Sequence, residues 1–259
     1  LLARINRRTL DGLRREIEPV STADLVRFLL NWQHVRPGQH LHGRGGVQQV
    51  IAQLQGFEGA AGAWEREILP ARVAAYDSGW LDALCLSGEV AWGRLARREA
   101  GGAPNRAAPI ALVRRGDLPW LRVPDGAPEV SAKDSAEAEP TLSAPARDVL
   151  AFLERAGASF LDEIISGAGR LRAEVEDALW ELVSAGRVTG DGFAGLRALI
   201  SATQNRGGAR ARWHSRWMRR AGGPVGAGRW SILRAPAVEG EDREQDEARV
   251  EQLARQYIK

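Results

Sequence analysis

Apolar residues recur at helical spacing along much of the chain, and the series is broken at regular points by Gly and Pro. Leu10, Leu13 and Ile17 predict a first helix over 9–18, closed by Pro19. Ser21 and Thr22 offer hydroxyl caps for a second, whose stripe is Leu25, Phe28, Leu29 and Trp32. A third runs over about 46–55, with Val47, Val50, Ile51 and Leu54 in register and Gly56 after its end. Residues 60–69 and 79–87 read as two further short helices. Three strand-like stretches follow, at 89–95, 109–115 and 119–123.

From 124 to 142 the period disappears, and Pro, Ala, Ser and acidic residues take over, the composition of a linker. The helical pattern then restarts over 143–156, 159–167 and 170–185. Gly186 closes that series, 187–193 reads as a strand entering a turn, and 229–233 as a strand returning from it. A further acidic helix begins at 237. Three helices followed by a strand pair is the order of a helix-turn-helix with a wing. The fold expected is therefore mainly α with small β-wings (α+β), as tandem winged-helix domains. A first unit with extra helices spans 1–124, a linker 125–142, a second unit 143–234, and the start of a further helical domain 235–259.

No apolar run approaches the roughly 20 residues of a membrane-spanning helix, and no charged-then-apolar leader is present, so no secretory signal is expected. The single Cys85 has no internal disulfide partner, which agrees with a reducing compartment. Leu1 in place of Met, and a helical pattern running up to Lys259, suggest a piece of a longer chain. A cytoplasmic location is expected.

The net charge is only +3, but it is unevenly placed. Lys133 and Lys259 are the lysines, and every other basic residue is Arg. Residues 201–234 hold Arg206, Arg210, Arg212, Arg216, Arg219, Arg220, Arg229 and Arg234 and no acid, with Trp213 and Trp217 interleaved. Arginine neutralises phosphates with a planar fork of donors, and indole stacks on bases, so Arg206, Arg210, Arg212, Trp213, Arg216, Trp217, Arg219, Arg220 and Arg229 are the candidate nucleic-acid contacts. The alternative makes the two Trp core anchors and the Arg residues a solvated face. Arg94, Arg97, Arg98, Arg106, Arg114, Arg115 and Arg122 form a second basic zone that could extend the phosphate track. The 170–185 helix instead carries Glu174, Glu176, Asp177 and Glu181, which phosphate would repel, so it is not expected to read the major groove.

His34, His40 and His42 lack the firm spacing and ligand number of a zinc site, and a flexible or phosphate-contacting loop is the simpler reading. No metal is expected. Glu65, Glu67 and Asp82 could orient a water or act as a base, but on short amphipathic helices such charges usually form a solvated face. Lys133 is followed by Asp134, and Lys259 ends the sequence, so neither sits in a Walker phosphate loop. ATP hydrolysis by these residues is excluded, and no cofactor is expected in this stretch.

Several short blocks carry a family likeness. Arg14-Arg15-Glu16-Ile17-Glu18-Pro19-Val20, Phe28-Leu29-Leu30 to Trp32-Gln33-His34, Gln53-Leu54-Gln55-Gly56, Ile68-Leu69-Pro70-Ala71-Arg72-Val73, Leu86 to Leu95 and Gly228-Arg229-Trp230-Ser231 together resemble the C-terminal region of the large helicase-related (Lhr) family. The resemblance implies an ATP-driven, superfamily 2, 3′-to-5′ DNA translocase linked to repair. Its motor, with ATP and Mg, would lie N-terminal to a series of winged-helix domains. A second likeness, Gln53-x-Gln55 followed by Ala61-x-Ala63-Trp64 and Leu81-Asp82-Ala83-Leu84, is to AlkZ-like winged-helix DNA glycosylases, in which a Gln-x-Gln or Gln-x-Asp motif holds the attacking water. It makes Gln53 and Gln55 candidate catalytic residues. Two amides two residues apart share a face if the chain is extended there, and diverge if it is still helical. The plainer reading has them satisfying loose carbonyls at a helix end. Three functions thus compete: binding of DNA, single-stranded or tailed duplex, beside a helicase motor; glycosylase removal of uracil or an alkylated purine; and a homo-oligomeric scaffold built on the nine Trp residues and acidic helices.

Overall fold

The computed structural model describes residues 20–95, 108–122, 142–205, 228–233 and 243–257, with 4, 7–9 and 12 ahead of them; for 201–205, 243–247 and 257 it describes the backbone alone. Helix α1, Thr22–Trp32, opens where the caps predict. The Ser21 hydroxyl accepts from the Asp24 amide at 3.1 Å. Its apolar stripe forms but is not covered by the described residues, since Leu25 is 47% and Phe28 56% exposed and none of the helix is buried.

Strand β1, Leu41–His42, leads into α2, Gly43–Leu54, which buries Val47, Val50 and Ile51 as its spacing predicts. The stretch read as a helix over 60–69 differs. It is strand β2, Gly59–Ala60, a turn, and a π-helical turn over Trp64–Ile68, followed by strand β3, Val73–Ala74, parallel to β1. Tertiary pairing overrides the helical period here: β2 pairs with a later strand, and the Ala61 amide donates to the Ala108 carbonyl at 2.9 Å. Helix α3, Ser78–Leu86, is capped by the Asp77 carboxylate and buries Leu81, Leu84 and Cys85.

Strands β4, Val90–Gly93, and β5, Pro109–Arg114, form an antiparallel hairpin with Val90 opposite Arg114 and Gly93 opposite Ala111; β2 joins on the other side of β5. The third strand expected over 119–123 is absent from the described part. Arg115–Asp117 is a 3-10 turn, and Leu118–Leu121 is a short helix, α4, with Pro119 in its first turn. Proline has no N–H to lose there and its fixed φ suits a helix start, so it favours the helical turn over a strand.

In the second half, α5, Ala144–Ala156, is capped by Ser143; α6, Leu161–Ala168, ends on Gly169 in the left-handed region (φ 64°); and α7, Arg172–Ser184, buries Val175, Leu179, Leu182 and Val183. Strand β6, Val188–Gly190, pairs antiparallel with β7, Trp230–Ile232, and Ser159, between α5 and α6, bridges to Trp230. This is a winged helix with its short first strand in place. Between β6 and β7, where a wing would run, the chain forms helix α8, Phe193–Asn205. Helix α9, Arg243–Tyr257, folds back against α4.

The expected 125–142 linker falls almost wholly outside the described residues. The two units on either side of it share one buried cluster, running from Val47, Trp64 and Leu84 to Leu179, Phe193 and Trp230. Trp92 is its hinge pin. The Trp92 indole N–H donates to the Gly192 carbonyl at 3.2 Å, Thr189 Oγ1 donates to the Trp92 carbonyl at 2.6 Å, and the ring meets Phe193 and Trp230 edge-on. Gly93, at φ 156°, admits Leu233 so closely that a Cβ would sit 2.7 Å from its Cδ2.

Candidate functional site

Gln53 and Gln55 lie at the end of α2, where the helix stops and the backbone turns extended: Gln55 has φ −60° and ψ 138°. The two amides point to different partners. Gln53 Nε2 donates to the Trp32 carbonyl at 2.9 Å, while its Oε1 is buried and without a hydrogen-bond partner. Gln55 is 4% exposed and used at both ends: its Oε1 accepts from the Arg114 amide at 3.3 Å, and its Nε2 donates to Asp117 Oδ2 at 3.0 Å and to Gln256 Oε1 at 3.4 Å. Gln256, from α9, completes the junction by donating to the Gln53 carbonyl at 3.0 Å and the Ala52 carbonyl at 3.2 Å. Of the two, only Gln53 has an unused acceptor.

The structure brings two of the three candidate carboxylates together. Glu65, on the π-helical turn, and Asp82, on α3, converge on Arg197 of α8. Arg197 Nε and Nη2 donate to the two oxygens of Glu65 at 2.6 and 2.8 Å, and Nη1 donates to Asp82 Oδ2 at 3.2 Å. Tyr76 donates to Glu65 Oε1 at 3.0 Å. Burial alone would lower the pKa of Arg197, but the hydrogen bonds and charges of Glu65 and Asp82 outweigh it and raise it. Burial, with Glu65 adding, raises that of Tyr76. Glu67 stays apart, exposed and paired with Arg66. Arg197 lies on α8, beyond the strand and turn expected over 187–193. The spacing of Phe193, Leu196, Leu199 and Ile200, all buried, is the signal for that helix.

Of the candidate nucleic-acid contacts, Arg206, Arg210, Arg212, Trp213, Arg216, Trp217, Arg219 and Arg220 lie outside the described residues. Arg229 lies at the start of β7, half exposed, with its Nε on Asp191 Oδ2 at 2.8 Å; that hydrogen bond, then the Asp191 charge, raises its pKa. Among the described residues, the arginines of the second basic zone do not form a continuous track. Arg94 and Arg122 are buried and tie the two units: Arg94 donates to the Ser184 carbonyl at 2.7 Å, and Arg122 to the carbonyls of Gly186, at 3.0 Å, and Leu233. Sequence position alone could not reveal this, because backbone carbonyls are their partners. Arg114 is about half exposed, and Arg115 donates to the Gly88 carbonyl at 3.0 Å. Arg97, Arg98 and Arg106 are outside the described residues.

Two of the acids of α7 hold helix ends. Glu174 accepts from the Leu171 amide at 2.9 Å, and Glu181 accepts from both the amide and hydroxyl of Ser143 at 2.8 and 2.6 Å. His34 sits in a left-handed turn (φ 55°) and His42 precedes α2 without a capping bond. Among the described residues, no three His, Cys, Asp or Glu side chains converge as metal ligands, and no helix is long and apolar enough to cross a membrane.

This architecture agrees with comparison to known proteins. Residues 20–115, from α1 through the β4–β5 hairpin, match the winged-helix domain of the large helicase-related protein family. Over 248 residues, 91% of its length, the chain is 36% identical to a Mycolicibacterium smegmatis protein described as an Lhr helicase/probable uracil glycosylase. The chain belongs to the Lhr family. An Escherichia coli protein described as an Lhr helicase/uracil glycosylase is 29% identical over 277 residues, 93% of this chain. The chain spans 15% and 17% of the lengths of these two relatives. The matched residues run through α1, α2, β2, the π-helical turn, β3, α3 and the β4–β5 hairpin in that order. The unit formed by α5 to β7 is the second winged helix, with α8 between its strands.

Proposed function

We propose that this Lhr-family chain is a nucleic-acid-binding region outside the motor of an ATP-driven 3′-to-5′ DNA repair helicase, and that it engages single-stranded or tailed duplex DNA. The observation that carries this reading is the pair of winged-helix units, the first matching the Lhr domain, joined through one core. The acid-free arginine run supports it, since between Asn205 and Gly228 the sequence supplies repeated phosphate donors. The carboxylates on α7 argue against sequence-specific reading by that helix. ATP and Mg belong to the motor, and a place with the bacterial nucleoid follows from the partner. Fluorescence anisotropy with a 3′-tailed duplex and a single strand, across a salt series, tests the reading. Binding whose logarithm falls linearly with the logarithm of salt is expected, and absence of binding at low salt would overturn it.

A second reading is favoured by the two relatives, both of which are described as uracil glycosylases, one of them as a probable one. Under it the protein removes uracil from DNA, with Gln53 and Gln55 at the site. The unpaired buried Oε1 of Gln53 is the atom with capacity to hold a water. Incubation with uracil-containing DNA followed by alkaline cleavage decides the matter. Excision lost in Gln53→Ala supports the site, excision kept in both Gln53→Ala and Gln55→Ala removes it, and no excision by the wild-type chain leaves the binding reading alone.

A further inference from the structure

Gln256 ends a relay of amides whose direction is fixed by chemistry. Its Nε2 meets the carbonyls of Ala52 and Gln53, at 3.2 and 3.0 Å, two of the carbonyls that the end of α2 leaves free. A carbonyl only accepts, so the donor end of the Gln256 amide must point there and its oxygen must point away. That oxygen accepts from Gln55 Nε2 at 3.4 Å. Gln55 is oriented from outside as well. The Arg114 amide only donates and takes its Oε1 at 3.3 Å, while the Asp117 carboxylate only accepts and takes its Nε2 at 3.0 Å. Gln53 is turned by the same logic: the Trp32 carbonyl takes its Nε2, which leaves Oε1 as the acceptor among these three side chains that has no partner.

Gln256 lies 203 residues beyond Gln53 in sequence and is only 7% exposed. Its helix is held on the first unit by the same face, since Arg249, Leu253 and Gln256 are four and three apart. Arg249 donates to the carbonyls of Trp120 and Arg122 at 3.0 and 3.2 Å, and Leu253 packs on the cluster of Leu95, Val113, Leu118 and Leu121. We propose that Gln256 is a positioning residue for Gln53: by pinning the carbonyls at the end of α2 it sets where the helix stops, and so where Gln53 Oε1 is aimed, while Gln55 serves the relay and not the water. The inference rests on the uracil-excision reading above, under which that oxygen orients the attacking water. Hydrolysis breaks the C1′–N1 bond with its electron pair left on uracil, joins the water oxygen to C1′, and passes one water proton to the base. The amide takes no proton, so its aim is its whole contribution.

Single-turnover excision by the full 259-residue chain on uracil-containing DNA, with affinity for the same DNA read separately by anisotropy, tests this. Gln256→Ala slows excision by about tenfold and leaves affinity unchanged, as loss of aim without loss of contact requires. Gln256→Glu separates direction from shape. It fills the same space and still accepts from Gln55, but its carboxylate offers no donor to the two carbonyls, so it is as slow as Gln256→Ala. Arg249→Ala removes an anchor of α9 without touching the relay, and stays within about twofold of wild type. Circular dichroism establishes that each variant is folded, and where Gln256→Glu is not, the comparison of Gln256→Ala with Arg249→Ala decides. A wild-type rate in Gln256→Ala, rescue by Gln256→Glu, or Arg249→Ala as slow as Gln256→Ala overturns the proposal while leaving excision intact. No excision by the wild-type chain overturns both.

Discussion

Arg122 carries a permanent charge to a position only 1% exposed, where it holds the carbonyls of Gly186 and Leu233, the backbone ends of the second unit's strands. Arg122→Leu leaves two buried carbonyls unpaired, with an expected loss of about 3 kcal/mol, read as a lower urea midpoint. Arg122→Lys recovers less than half of that, because an ammonium lacks the planar fork that spans two acceptors. Cys85 gives a second test at this scale. Burial, with the Asp82 charge adding, pushes its thiol from 9.0 up to about 12. The native state therefore keeps a proton that the unfolded chain loses. The resulting stability is complete below pH about 9 and declines as pH rises towards 12. Thermal midpoints between pH 9 and 11 fall more steeply for the wild type than for Cys85→Ala. Ellman's reagent at neutral pH labels Cys85 only on unfolding.

Among the elements, α5 and α6 meet where Gly167 faces Phe152, and a Cβ there would lie 2.0 Å from the ring. In an open helix Gly→Ala stabilises by up to about 1 kcal/mol. Here Gly167→Ala lowers the thermal midpoint, by about 1–3 kcal/mol of overpacking. Elements built on strong periodicity and clear caps were legible from the residues: Ser21 opens α1, Ser143 opens α5, and the Val47–Val50–Ile51 stripe is the buried face of α2. The hairpin return at Trp230 was legible too. Elements decided by distant partners were not. Nothing local to 60–69 announces that it pairs with β5, and nothing local to Leu118–Leu121 opposes a strand except Pro119. Helix α8 was readable from its stripe but hidden by the expectation of a wing loop. At the candidate site, the chemistry of single residues was visible, but not their pairing. Glu65, Asp82 and Arg197 are far apart in the chain, and only the packing of α8 on α3 joins them.

For the molecule as a whole, the shared core predicts that the units hold together without the covalent link between them. Lys133 and Lys259 are the lysines of the chain, so a lysine-specific protease makes one internal cut, in the Pro-, Ala- and acid-rich stretch. The two fragments are expected to co-elute on size exclusion in native buffer and to separate in denaturant. Fragments that part in native buffer would show that the common cluster is too weak to hold two domains.

The Trp92 contact has a bearing on how such proteins change over generations. A string of similar units invites duplication and exchange, with each repeat copied as a self-sufficient bead. Here one bead carries an indole whose hydrogen bond and two aromatic neighbours all belong to the next. A copy of the first unit inserted elsewhere would display that indole to water, along with Arg94 stripped of its carbonyl. Recombination would thus favour boundaries outside this pair, and the two units would be inherited as one.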